Sequence, residues 1–167
     1  PGVSVCFLRV VIMSMSLEQQ QAPVIMVSKE VLCNDLRVAL HGKVDEDTLK
    51  ASVLSMQRAS SIHLVSGGIV SAIFYVRLDL SVRGSASKKF EGRAGGVFTP
   101  GEATIIGTLF TDNVDMLYAN TASFQFNSNP VYLTINFFDG SSNLLGYVHA
   151  GSISIVTGIG GGSGQWS

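Results

Sequence analysis

Residues 131–151, with the sequence VYLTINFFDGSSNLLGYVHAG, have the pattern of two β-strands joined by a tight turn. Every second position of the first half is apolar: Val131, Leu133, Ile135 and Phe137. A period of two places these side chains on one face of a strand. Asp139-Gly140 follows and favours a hairpin turn, because both residues tolerate the backbone angles of such turns. The stretch therefore predicts an antiparallel pair of strands with an apolar face toward a core.

The same two-residue period starts near residue 62 and continues toward the C-terminus. In residues 68–82, GIVSAIFYVRLDLSV, it predicts one long strand of about 45 Å, bent or shared between two ladders. The apolar face of this strand comprises Val70, Ala72, Phe74, Val76, Leu78, Leu80 and Val82. Further strands are predicted at residues 88–93, 104–111, 123–127, 131–138, 144–150 and 153–159. A short helix with Asp112 as its N-cap is predicted at residues 111–120.

Many short strands with internal glycines and one short helix favour a mainly β fold, a closed antiparallel barrel, over a βαβ sheet. Glycine within a strand permits the sharp coiling that a small barrel needs. Closure also removes exposed sheet edges, at which other chains could pair. Trp166, after the glycine-rich stretch 158–164, is predicted to cover one end of the barrel.

The composition changes between residues 59 and 62, because 16 of the 18 glycines follow residue 61. We therefore predict two regions, an N-terminal segment at residues 1–61 and a barrel domain at residues 62–167. In the first region, Ser28 and Asp45 can cap two short helices, each with a narrow apolar stripe. Such helices need a surface to pack on. Two alternatives follow for these helices: they dock on the barrel, or they are disordered until they meet a partner.

Charge and cysteine content exclude several classes of function. A formal charge of −1 gives no field that would attract nucleic acid. Cys6 and Cys33 lack metal-site or redox spacing, and the sequence leaves open whether they pair. No apolar run is long enough to span a bilayer. Residues 3–13 are apolar around Arg9, and a buried strand or the remnant of a signal sequence both fit them.

The residues offer no recognisable catalytic chemistry. His41, His63 and His149 lie far apart and without metal-ligand spacing. The glycines of the tail do not follow the dinucleotide-binding pattern. Asp112 and Asp115 are better explained by helix capping than by acid–base catalysis. We therefore predict no catalytic residue, no metal site and no cofactor.

A surface contact patch is the one candidate site. Tyr132 and Phe138 fall on the polar face of the first strand of the hairpin, where aromatic rings would be exposed. Tyr75 lies beside the apolar face of the long strand and could extend such a patch. Lys88 and Lys89 add a small basic spot that could touch anionic lipid headgroups.

The order of motifs from residue 62 to residue 167 resembles the rhodococcal virulence-associated proteins, the Vap family. The resemblance is carried by Gly95-Gly96 before Pro100-Gly101, GTLFTD at residues 107–112, SFQ at 123–125, NFFD at 136–139, LLG at 144–146 and the glycine-rich end before Trp166. It implies a compact eight-stranded antiparallel barrel with a short helix and a filled interior. It also implies a secreted or surface-exposed bacterial protein that supports survival inside macrophages and has no enzymatic activity. Residues 1–61 depart from the family pattern and show no recognisable signal sequence.

Three functions remain after this resemblance. The first is a monomeric, secreted effector that reaches the phagosome and binds host membrane lipid or a host protein. The second is a lipocalin-like carrier of a small ligand, which requires an interior cavity. The third is a hydrolase with an unrecognised site, which would show itself as shifted pKa values gathered in one cleft.

Overall fold

The computed structural model describes residues 27–84, 88–151 and 156–167 and contains a closed barrel of eight antiparallel strands. The strands are β1 (Ser61–Ala72), β2 (Tyr75–Val82), β3 (Lys89–Phe98), β4 (Gly101–Thr111), β5 (Ser123–Ser128), β6 (Tyr132–Phe138), β7 (Leu144–Gly151) and β8 (Gly158–Trp166). Around the barrel they follow the order β1-β2-β3-β8-β5-β6-β7-β4. The predicted fold class is confirmed. β8 is the last strand along the chain, and it lies between β3 and β5.

The predicted hairpin at residues 131–151 is confirmed as β6 and β7, which pair with Leu133 opposite Ala150. Its turn is held by Asp139, whose carboxylate accepts hydrogen bonds from the amides of Ser141 at 2.8 Å and Asn143 at 2.9 Å. Partial burial raises the pKa of Asp139, but the bonds from Asn143 and Ser141 outweigh it and keep the pKa below the ordinary value. This turn therefore fixes the register of the hairpin.

Residues 68–82 form two strands, so the prediction of one long strand is wrong. β1 ends at Ala72, Ile73 and Phe74 make the turn, and β2 begins at Tyr75, opposite Ala72. The turn changes which side chains face inward. Val76 and the alternate positions that follow it in β2 are buried as predicted, whereas Val70 and Phe74 are exposed.

Aromatic rings fill the interior of the barrel. The rings of Phe90 and Phe124 meet edge to face, with centroids 5.4 Å apart. Gly92 makes room for them, because a Cβ atom at this position would lie 2.6 Å from the Phe90 ring and 2.7 Å from the Phe124 ring. A packed interior of this kind is expected for an eight-stranded barrel.

The short helix α3 (Val114–Asn120) and Trp166 close one end of the barrel. The N-cap of α3 is Asn113, whose side chain accepts from the amide of Met116, and not the predicted Asp112. Trp166 packs on Phe90 and donates from Nε1 to Oγ1 of Thr121 at 3.3 Å. The predicted role of Trp166 is confirmed. The last strand is shifted from residues 153–159 to Gly158–Trp166, and residues 152–155 lie outside the described part of the chain.

Two helices, α1 (Lys29–Leu40) and α2 (Glu46–Arg58), pack on the outside of the barrel. Asp45 caps α2 as predicted, accepting from the amides of Asp47 and Thr48. Ser28 stands at the N-cap of α1, but its side chain makes no capping bond. The apolar stripes of both helices meet Phe138, Leu144 and Tyr147 on the outer surface of β6 and β7. Of the two alternatives for these helices, the structure shows docking on the barrel. The two helices cover one of its sides.

Parts of the sequence predictions fall outside the described residues. These parts are the apolar stretch at residues 3–13 and any pairing of Cys6 with Cys33, because Cys6 is not described. Within the described ranges, no helix combines the length and the apolar character needed to cross a membrane. The division at residue 61 remains a prediction, and β1 begins at Ser61.

Candidate functional site

The predicted contact patch does not form, because its aromatic members lie on opposite sides of the barrel. Phe138 is only 5% exposed, since α1 and α2 cover it. Tyr132 is half-buried beside the same helices, and its hydroxyl donates to the carboxylate of Asp35 in α1. Tyr75 is exposed on β2, four strands around the barrel from β6. The prediction that Tyr75, Tyr132 and Phe138 share one surface is therefore wrong.

The basic spot is also separate from Tyr75. Lys89 is exposed at the start of β3, and Lys88 before it is half-buried. Tyr75 pairs with Gly95, six residues further along β3, which places it about 20 Å from Lys89 along the strand. The two lysines and the tyrosine therefore do not act on one small ligand.

Exposed apolar side chains gather instead at the end of the barrel that carries the β1–β2 turn. We call this surface the apolar tip, and it comprises Ile73, Phe74, Tyr75, Val97 and Ile159. Phe74 is 71% exposed and Val97 is 68% exposed. Val97 lies directly opposite Ile159 in the pairing of β3 and β8. The amide of Phe98 donates to the carbonyl of Ile73 at 2.9 Å, which holds the turn beside Val97.

The turn within the apolar tip is conformationally strained. Ile73 has a φ of +36°, a region that β-branched residues rarely occupy. Such strain costs about 1–3 kcal/mol and is concentrated at functional sites. Ile73 is also exposed, so burial of its side chain does not offset the strain. The turn is therefore both strained and exposed, whereas the similarly exposed Ile62 and Ile106 lie within regular strands.

From Tyr75, at the lower edge of the apolar tip, the surface becomes polar in regular rows. Tyr75 pairs with Gly95, and Gly95 pairs with Gly161, which gives a flat row beside the tyrosine ring. One row further from the apolar tip, Arg77 lies opposite Arg93. The guanidinium of Arg77 also binds Asp79, with Nε 3.0 Å from Oδ2. The surface therefore passes from apolar to aromatic to basic within four residues of a strand.

The apolar tip also has neighbours that modify it. Val70 of β1 is exposed and pairs with Arg77 on one side and with Glu102 of β4 on the other. Val131, in the turn before β6, is exposed at the same end of the barrel. Glu102 is an exposed carboxylate at this end. The face is thus broadly apolar, with Glu102 at its edge.

The groups that could do chemistry are dispersed. In the described ranges no three His, Cys, Asp or Glu side chains come together as a metal site. His149 is buried on β7, His63 lies on β1 and His41 stands at the end of α1. A groove of about 400 Å³ runs along the outside of the barrel, between Val44, Gln125 and Gly161.

Sequence reasoning found Tyr75 but missed the other four residues of the apolar tip. The missing signal was the run Ile73-Phe74-Tyr75-Val76, in which four consecutive apolar residues break the alternation of a half-buried strand. Val97 and Ile159 could not be found in the same way, because each is a single apolar residue at an outward position. Their proximity follows only from the pairing of β3 and β8.

The chain is similar to proteins of one bacterial family. A sequence model of the family described as Rhodococcus equi virulence-associated protein matches residues 18–167. The solved structure of the virulence-associated protein VapD from the intracellular pathogen Rhodococcus equi is 43% identical, with a TM-score of 0.64, over 65% of this chain and 99% of that chain. For VapB from the same organism the identity is 42% and the TM-score 0.60, over 64% and 96% of the two chains. No curated protein matches the chain.

Proposed function

The chain belongs to the Rhodococcus equi virulence-associated protein family, and on this premise we propose that it is a secreted, non-enzymatic virulence protein that acts by placing its apolar tip on host membranes. The membrane is that of the compartment in which the bacterium survives inside a macrophage. The observation that carries this proposal is the strained turn that holds Ile73 and Phe74 in water.

The apolar tip has the dimensions of an interfacial anchor. Interfacial elements bury their apolar face about 5–10 Å into the boundary between headgroups and acyl chains. The rows of Val97 and Tyr75 span about 7 Å at the usual rise of a strand. Burying one large apolar side chain stabilises binding by roughly 1.5–3 kcal/mol. Two such side chains are therefore enough for a measurable affinity.

The row of Tyr75 at the lower edge of the apolar tip, and the next row along the strands, match the polar layer of a membrane. Tyrosine favours the headgroup level because its ring is apolar and its hydroxyl is polar, and Tyr75 stands in that row. Arg77 and Arg93 come next. Arg93 would meet lipid phosphates, where a basic residue contributes about 1 kcal/mol at an anionic surface, whereas the charge of Arg77 is paired with Asp79. Glu102 opposes this attraction, so the apolar contact carries most of the binding.

A host protein is the alternative partner for the same surface. Tyrosine and arginine are the residues that most often dominate protein interfaces, and Tyr75 and Arg77 are neighbours on β2. A lipocalin-like carrier is less well supported, because such a protein holds its ligand inside the barrel. Here the rings of Phe90 and Phe124 occupy that interior.

Vesicle sedimentation with the full chain tests the proposal. Phosphatidylcholine vesicles with and without phosphatidylserine are compared at pH 5 and pH 7. The double variant F74S/V97S removes two exposed side chains of the apolar tip, and we expect it to bind at least about tenfold more weakly. The matched control is I62S/I106S, which removes two exposed apolar side chains from β1 and β4, and it should bind as the unchanged chain does.

Two outcomes would contradict the proposal. An equal loss in both double variants would show that general surface hydrophobicity, and not the apolar tip, holds the protein to vesicles. An unchanged chain that binds no vesicle at either pH would exclude lipid and direct attention to a host protein.

A further inference from the structure

The two helices also cover a polar surface of the barrel, next to the apolar side chains of Phe138 and Leu144. We call this surface the covered face, and it comprises Gln125, Thr134, Asn136, Tyr147 and His149. Gln125 pairs with Asn136, and Asn136 pairs with Tyr147, so the three form one row across β5, β6 and β7. Thr134 pairs with His149 in the next row. All but the half-buried Gln125 are buried.

Several polar atoms at this interface lack hydrogen bonds. Within the described part of the chain no partner is found for five buried oxygens: Ser52 Oγ of α2, Gln125 Oε1, Thr134 Oγ1, Asn136 Oδ1 and Tyr147 OH. The helices bring apolar side chains to this side, among them Leu36 and Met56. A buried oxygen without a partner is unfavourable, and water would satisfy it on exposure. The interface is therefore well packed but poorly matched in polarity.

The two helices are joined to each other by hydrogen bonds of their own. The ammonium group of Lys29 in α1 donates to the carbonyl of Ala59 at 2.9 Å and to that of Gln57 at 3.2 Å, both at the end of α2. Toward the barrel, Ser55 Oγ donates to the carbonyl of Leu144 at 3.1 Å, and Tyr132 donates to Asp35. The helix pair can thus keep its internal contacts while its contacts with the barrel open.

We propose that α1 and α2 form a displaceable cover, which leaves the barrel as a unit and exposes the covered face while the barrel stays folded. Opening hydrates the five oxygens and also uncovers the aromatic rings of Phe138 and Tyr147. The apolar tip lies on other strands, and only Ile159 of the tip lines the same groove as Leu40 of α1.

Two native side chains report on the two parts of the molecule separately. Cys33 of α1 is 2% exposed and belongs to the cluster between the helices and the barrel. Trp166 is the sole tryptophan and packs at the end of the barrel. In a C6S background, Cys33 is the sole thiol, so its labelling by a thiol reagent measures opening of the cover. Trp166 fluorescence measures unfolding of the barrel.

We expect Cys33 in native buffer to be labelled at least about tenfold faster than global unfolding allows, with unchanged Trp166 fluorescence. The variant T134V removes one unpartnered oxygen and keeps the shape of the side chain, so labelling of Cys33 should become slower. The matched control T104V alters an exposed threonine of β4 and should leave the labelling rate unchanged. The variant S55A removes the bond to Leu144 and should make labelling faster.

Labelling of Cys33 that occurs only together with the loss of the Trp166 signal would overturn the proposal, because the helices and barrel would then unfold as one unit. Equal labelling rates in T134V and T104V would also overturn it, since the polarity mismatch would then have no effect on opening.

Discussion

Ile73 and Phe74 occupy the two turn positions of the β1–β2 hairpin, where glycine, asparagine or aspartate is usually found. A chain selected only for stability would place one of those residues at a φ of +36°. The two apolar side chains are also among the exposed ones. At the scale of single residues, the apolar tip is therefore a site where stability is given up, as the proposed membrane contact would require.

Replacing Ile73 tests this trade between stability and binding. Asparagine tolerates positive φ, so I73N should raise the free energy of unfolding by about 1 kcal/mol and weaken binding to vesicles. Urea unfolding and vesicle sedimentation measure the two effects. V97N, at an exposed position of a regular strand, should weaken vesicle binding without stabilising the fold. If I73N is no more stable than the unchanged chain, the strain argument is wrong.

Gly92 gives a second test at the residue scale. In G92A the added methyl would meet the Phe90 and Phe124 rings at less than 3 Å, so unfolding should become easier by about 1–3 kcal/mol. G95A lies three residues along the same strand, where the nearest atom to an added Cβ is the Phe74 carbonyl at 3.9 Å. In thermal unfolding, G92A should have a lower melting temperature than G95A. Equal melting temperatures would show that the interior can accommodate an added methyl group at Gly92.

At the scale of elements, local signals explain what the sequence can predict. The β6–β7 hairpin was predictable because Asp139-Gly140 marks its turn, and α2 because Asp45 marks its start. The β1–β2 turn was not predictable, because Ile73 and Phe74 are poor turn residues and continue the apolar pattern. The burial of Phe138 could not be predicted from the sequence either, since the helices that bury it lie about a hundred residues earlier in the chain.

The interface between the helices and the barrel should be sensitive to alkaline pH. Burial raises the pKa of Tyr132 and Tyr147 to about 12, with smaller contributions from Asp35 to Tyr132 and from Cys33 to Tyr147. An unfolded tyrosine titrates near 10. The folded protein therefore keeps protons that the unfolded chain loses, and this part of its stability, complete below about pH 10, declines as pH rises to about 12.

Urea unfolding at pH 9 and pH 11 measures this decline. The variant Y132F removes one of the two titrating hydroxyls, so its stability should fall less between the two pH values. A fall as large as that of the unchanged chain would mean that Tyr132 does not contribute.

At the scale of the whole molecule, the barrel and the family could be recognised from the order of motifs along residues 62–167. The position of the apolar tip could not. It depends on which strands become neighbours when the barrel closes and on which side of the barrel the helices pack. Tyr75 is exposed. Tyr132 and Phe138 were assigned to the same surface because the alternation of the strand places them outward, and the sequence did not show that the helices cover them.

The place of β8 in the barrel has a consequence for how the protein folds during its synthesis. β8 leaves the ribosome after the other seven strands of the barrel, yet it is inserted between β3 and β5. Until it arrives, the other seven strands can form only an open sheet with β3 and β5 as free edges. Unpaired edges invite association with other chains. A nascent chain is therefore exposed to mispairing until β8 has emerged and can pair with both β3 and β5.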